Sequence, residues 1–109
     1  PLNGGLNNAF RVEHIDRSGA NLQVNSAEPS LVPVAGTWYH VAAVGDSAKG
    51  TLTLYVNGTV AGSTTGFTGL FVPAAGSDTP WTLGRGDFGT TDVDFLRGDL
   101  DEVRFSTVA

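Results

Sequence analysis

The chain offers eleven carboxylates, two histidines and neither cysteine nor methionine for chemistry. The nearest approach to a catalytic pattern is Asp99 and Asp101, two carboxylates at alternating positions where a strand would begin. Alternation puts two side chains on one face of a strand. Two carboxylates cleave a glycosidic bond when they flank it about 5 to 5.5 Å apart with retention, or about 6.5 to 9.5 Å apart with inversion. His14 and His40 invite acid–base or metal chemistry, but they have no cysteine partners and no motif spacing between them. The expectation for His40 is a buried neutral imidazole held by a backbone hydrogen bond.

Seven of the eleven acidic residues lie between Asp78 and Glu102, and Asp87, Asp92 and Asp94 share a glycine-rich stretch with Arg85 and Phe88. Aromatic rings for stacking beside carboxylates that accept hydroxyl hydrogen bonds are the ingredients of a shallow glycan site. Trp81, Arg85, Asp87, Phe88, Asp92 and Asp94 are therefore the candidate ligand-binding residues. The competing reading is a solvated loop with Trp81 in the core. Asp101 stands apart, because period-two alternation sets it on the same face as Val103 and Phe105, while Leu100, Glu102 and Arg104 take the other. A carboxylate turned inward there needs backbone donors, an arginine or a cation.

Two short motifs have simpler explanations. Arg85-Gly86-Asp87 is the tripeptide that integrins recognise, yet three residues recur by chance. Asn57-Gly58-Thr59 fits a glycosylation sequon, but the Asn-Gly pair is accounted for by a tight turn.

The elements that must position these groups are strands. Hydrophobic residues make up 40% of the 109, charged residues 16%, and fifteen are glycine, a mix that suits short strands joined by turns in one domain spanning residues 1–109. The net charge of −5 and the scattered basic residues Arg11, Arg17, Lys49, Arg85, Arg97 and Arg104 disfavour nucleic acid and anionic membrane as partners. No apolar run approaches the roughly 20 residues of a transmembrane helix, so membrane insertion is not expected. The chain opens at Pro1 without a signal segment, and any targeting information is expected to have been removed. Richness in Thr, Gly, Asn and Ser with one lysine points to a secreted protein.

Residues Phe10 to Ile15 and Ala20 to Asn25 alternate on either side of Asp16-Arg17-Ser18-Gly19 and predict a hairpin with one wet face. Trp38 to Val44 is apolar on both faces and predicts a strand covered on both sides. Thr51 to Val56 then enters the two-residue turn Asn57-Gly58, a register that sets Val56 opposite Thr59, Tyr55 opposite Val60 and Leu54 opposite Ala61. A long connection follows, with Phe67, Leu70, Phe71 and Val72 to be docked. Beyond it come a short strand at Trp81 to Gly84, the loop Arg85 to Asp94 and a final strand from Leu100 to Thr107.

Four blocks resemble, in order, the landmarks of the laminin-G-like jelly-roll domain of the concanavalin A-like lectin and glucanase superfamily. They are Trp38-Tyr39-His40-Val41-Ala42, Leu52 to Gly58, Leu83-Gly84-Arg85, and Phe95 to Phe105. The resemblance implies an all-β fold, an antiparallel jelly-roll β-sandwich of the concanavalin A-like type. Such domains carry further strands ahead of the segment that Phe10 to Ile15 resembles, so the chain is expected to be a partial domain lacking its N-terminal strands. It would then be completed by residues outside this sequence or by a complementary chain. The implied function is a non-catalytic binding module for carbohydrate or an extracellular protein, secreted or at the cell surface, within a larger protein. The alternatives are a structural or assembly subunit completed by strands from another chain and, more remotely, a glycan-cleaving domain. Asp99 and Asp101 lie in a landmark shared with non-catalytic relatives, so no catalytic residue is expected. Related carbohydrate-binding modules hold a structural Ca²⁺ with an aspartate near the last strand, which would make Asp101 the metal ligand; compensation by backbone donors is the competing expectation.

Overall fold

The computed structural model describes residues 9–15, 20–26, 32–70, 83–84, 86–88, 91–93 and 95–107, with the strands at 86–88 and 91–93 described through their backbone pairing. Every element among them is a β-strand, every pairing is antiparallel, and no helix is present. The described residues fall into two compact units, 9–70 and 83–107.

The first unit holds five strands. Strands β1 (Arg11–Ile15) and β2 (Asn21–Asn25) form the expected hairpin. Its inward pairs are Val12 with Val24 and His14 with Leu22, and its outward pairs are Arg11 with Asn25, Glu13 with Gln23 and Ile15 with Asn21. The wet face is tied by Arg11 Nε donating to Asn25 Oδ1 (2.8 Å) and Asn21 Nδ2 donating to Glu13 Oε1 (2.9 Å). At its open end the hairpin is locked by Ser26, which is buried. Its N–H donates to the Phe10 carbonyl (2.8 Å) and its Oγ accepts the Phe10 N–H (3.0 Å).

Strands β3 (Val41–Asp46), β4 (Thr51–Val56) and β5 (Thr59–Thr65) make a three-stranded sheet in that order. Leu52, Leu54 and Val56 of β4 are buried and meet Val24, Ala61 and Phe67, with Phe10, Val12, Leu22 and Tyr39 packed around them. The β1–β2 hairpin thus lies over β4 and β5 as a second layer, and the apolar core sits between the layers. Two glycines permit this closeness. A Cβ on Gly62 would lie 2.5 Å from the Asn25 carbonyl oxygen of β2, and one on Gly45 would collide with the Phe67 ring. Phe67 reaches the core because Gly50 O accepts both the Gly66 N–H (2.9 Å) and the Phe67 N–H (3.2 Å), folding the end of β5 back over the β3–β4 turn.

Three expectations about this unit need correction. Asn57 and Gly58 do form the tight turn, with φ of 51° and 78°, and Val56 faces Thr59 and Tyr55 faces Val60. Leu54, however, faces Gly62, because a bulge between Leu54 and Tyr55 inserts Ala61 as an extra residue. The strand expected at Trp38 begins only at Val41 and is not covered on both faces. It is an edge strand that pairs with β4 alone among the described strands, and it leaves Trp38 68% and Val41 47% exposed. His40 is likewise exposed rather than buried.

The second unit contains the hairpin of β6 (Gly86–Phe88) and β7 (Thr91–Val93). The stretch Arg85 to Asp94 is therefore a hairpin at its centre, where a loop was expected. Leu83 and Gly84 lie in a bend rather than a strand, and the Gly84 carbonyl accepts the Leu96 N–H at 2.7 Å. Trp81 and Thr82 lie outside the described residues. No strand forms from Leu100 to Thr107, because Glu102 takes a φ of 52°, which breaks an extended run.

Candidate functional site

Only part of the candidate set can be placed. Trp81, Arg85 and Asp94 lie outside the described residues. Asp87 and Phe88 fall on β6 and Asp92 on β7, and the register makes Asp87 and Asp92 direct cross-strand partners, with Phe88 opposite Thr91. The fold thus brings together two of the three acidic positions of this stretch on adjacent backbones.

Asp101 is not turned inward with Val103 and Phe105. Val103 is 51% and Phe105 66% exposed, and the Asp101 carboxylate, also exposed, accepts the N–H of Glu102 at 2.8 Å. The positive φ at Glu102 makes that short bond possible and removes the alternation on which the inward reading depended. Among the described residues no three His, Asp or Glu side chains gather in a way that could hold a metal ion.

The two histidines have local roles. His14 lies half-buried on the inner face of β1 with its ring 5.8 Å from that of Phe67. His40 is fixed through its backbone: its N–H donates to Asn57 Oδ1 (2.9 Å) and its carbonyl accepts the Asn57 N–H (2.8 Å). The turn that closes β4 and β5 thereby also clamps the chain just ahead of β3.

One feature was not anticipated. The open edge of β3, whose backbone groups no described strand pairs, starts at exposed Val41, and exposed Trp38 lies just ahead of it. Periodicity did place both residues on a strand, but nothing in their own types distinguishes an edge strand from a central one. Nearby, the Tyr39 hydroxyl accepts the Val34 N–H (3.0 Å) and the Tyr39 ring meets Phe10 edge-on at 5.0 Å, so the strand's approach is held from the core side.

Antiparallel strands with no helix among the described residues are consistent with a concanavalin A-like sandwich. A family profile, Laminin_G_3 of the concanavalin A-like lectin/glucanases superfamily, matches residues 3–109, and the chain belongs to that family. Laminin G-like domains are generally non-catalytic modules that bind carbohydrate or protein, and they usually occur in extracellular proteins. No curated protein and no solved structure matches the chain.

Proposed function

We propose that this chain is a non-catalytic binding module of a secreted or surface protein, taking a carbohydrate or an extracellular protein as ligand, with the β6–β7 hairpin as the contact. The observation that carries the reading is the partnership of Asp87 with Asp92 across that hairpin, in a family of binding domains. Sugar hydroxyls are donors that carboxylates at these two partnered positions can accept. The test is intrinsic tryptophan fluorescence across a polysaccharide panel, with Asp87→Asn and Asp92→Asn in parallel. Binding that both substitutions weaken supports the glycan reading. If no polysaccharide binds and a partner protein is retained in a pull-down that the substitutions abolish, the ligand is a protein. Binding that neither substitution changes removes the hairpin from the site.

A second reading, an assembly subunit completed by strands from another chain, is favoured by the open side of β3. Exposed Val41 and, just ahead of the strand, Trp38 adjoin backbone groups that no described strand pairs, and over Val41 to Gly45 the strand has none of the lysine, proline or bulge devices that protect edges. Co-purification of a complementary chain that protects the β3 amides from hydrogen exchange is its test. Unchanged exchange in such a complex would remove it.

A further inference from the structure

The Asn57-Gly58 pair has a use that the turn alone does not exhaust. Asn-Gly is the sequence most open to spontaneous amide chemistry, because glycine has no Cβ to hinder its own nitrogen. In that reaction the Gly58 amide nitrogen gives its proton to hydroxide and attacks Asn57 Cγ. The Cγ–Nδ2 bond breaks, ammonia leaves, and water opens the resulting five-membered ring at one of its two carbonyls. The product is aspartate at position 57 or its isoaspartyl isomer, in which the main chain runs through the former side chain.

The folded turn opposes this in two ways. Asn57 has a φ of 51°, in the left-handed region. There ψ is about +47°, which swings the Gly58 nitrogen to the side of the Cα–C bond away from Cβ and out of reach of Cγ. The side chain is also anchored, since Oδ1 accepts the His40 N–H at 2.9 Å while the Asn57 N–H donates to the His40 carbonyl at 2.8 Å. Ring closure requires both that anchor to be released and the backbone to leave the left-handed region, which means opening the β4–β5 turn. Both Asn57 and Gly58 are exposed, so hydroxide and water reach them as soon as it opens.

We infer that Asn57 is a modification site gated by the β4–β5 hairpin: deamidation proceeds only through the opened turn and leaves a covalent record of each opening. Isoaspartate lengthens the main chain by one atom at a position where two residues make the whole turn. The modified hairpin therefore cannot restore the Val56–Thr59 pairing or the His40 clamp. Aspartate, by contrast, retains an acceptor for the His40 N–H and is compatible with the closed turn.

The experiment incubates the 109-residue chain and a synthetic peptide of residues 53–60 in the same mildly alkaline buffer. Conversion at position 57 is followed by peptide mapping and mass spectrometry that resolves aspartate from isoaspartate. The expected result is conversion at least about tenfold slower in the chain than in the peptide. Leu54→Ala, which loosens the core beneath the hairpin, is expected to raise the chain's rate toward that of the peptide. A chain that converts less than tenfold more slowly than the peptide overturns the inference, as does a rate that stays unchanged when Leu54→Ala lowers stability.

Discussion

At the scale of single residues, Asn57 joins the most separate pieces of structure. It occupies a left-handed position that other side chains resist, and it holds His40 through both its side chain and its backbone. Asn57→Gly keeps the backbone conformation and loses only the acceptor for the His40 N–H, an expected cost of about 0.5 to 1.5 kcal/mol. Asn57→Ala loses the acceptor and adds left-handed strain of about 1 to 2 kcal/mol. Urea melts should therefore rank the wild type above the glycine variant and the glycine variant above the alanine variant; equal midpoints for the two variants would show that strain plays no part. Asp46, by contrast, acts within the single turn after β3. Its carboxylate accepts the Lys49 N–H, and then the Lys49 ammonium and the Ala48 N–H reinforce this, holding its carboxyl below the usual carboxylate range. A depressed folded pKa contributes stability that is present above the unfolded value and is lost as the pH falls through the folded one. Acid melts below about pH 4 should consequently show the wild type losing stability that Asp46→Asn never had, and parallel acid curves for the two would rule this out.

Among the elements, what the residues disclosed and what they hid follow from the same fact: a strand's own residues encode faces, whereas its neighbours encode exposure. The β1–β2 hairpin was legible because one face is apolar and the other polar, a pattern that means the same thing wherever the hairpin is placed. The Asn57-Gly58 turn was legible because its chemistry is local. The exposure of β3 was not, since Val41, Ala42 and Ala43 would suit a central strand equally well and only the absence of a described neighbour makes them an edge. The bulge at Leu54 also escaped notice, although Gly62 gave a sign of it. Glycine is needed where β2 crosses, and the bulge is what turns that position, rather than Ala61, toward Leu54. Gly62→Ala should then cost about 1 to 3 kcal/mol, because the methyl would meet the Asn25 backbone oxygen, which cannot move without shifting the hairpin. Leu54→Ala, at a side chain only 1% exposed, should cost about 2 to 5 kcal/mol. If Gly62→Ala were neutral in a thermal melt, the close approach of the two layers would be wrong. The candidate site was half legible for the same reason: composition gathered Asp87, Asp92 and Phe88 into one stretch, but only the β6–β7 register makes the two aspartates partners.

For the whole molecule, the balance of apolar surface is the governing quantity. Trp38, Phe95 and Phe105 are each about two-thirds exposed, and Leu70, Leu83, Leu100 and Val103 each more than half, while the buried core is built from small and medium side chains around Phe67. Within each unit, apolar side chains left this exposed gain free energy when something else covers them. The Asp101 site bears on what that is, because a cation there would compete with the Glu102 N–H that the carboxylate already accepts, and no group of three His, Asp or Glu side chains that could hold one gathers among the described residues. The melting temperature of the chain is therefore expected to be the same in excess Ca²⁺ and in chelator, and a rise with Ca²⁺ would restore the metal and assign Asp101 to it. Cover by polypeptide makes a different prediction. In sedimentation the 109-residue chain alone should associate increasingly with concentration and bind a hydrophobic dye. A longer polypeptide that adds flanking strands, or a complex with a complementary chain, should do neither, and its Trp38 fluorescence should shift to the blue as the ring leaves water. A compact monomer of the chain alone, with a cooperative melt and no dye binding, would mean that these side chains are covered from within the 109 residues, and the assembly reading would fall while the binding role of the β6–β7 hairpin remained to be judged on its own test.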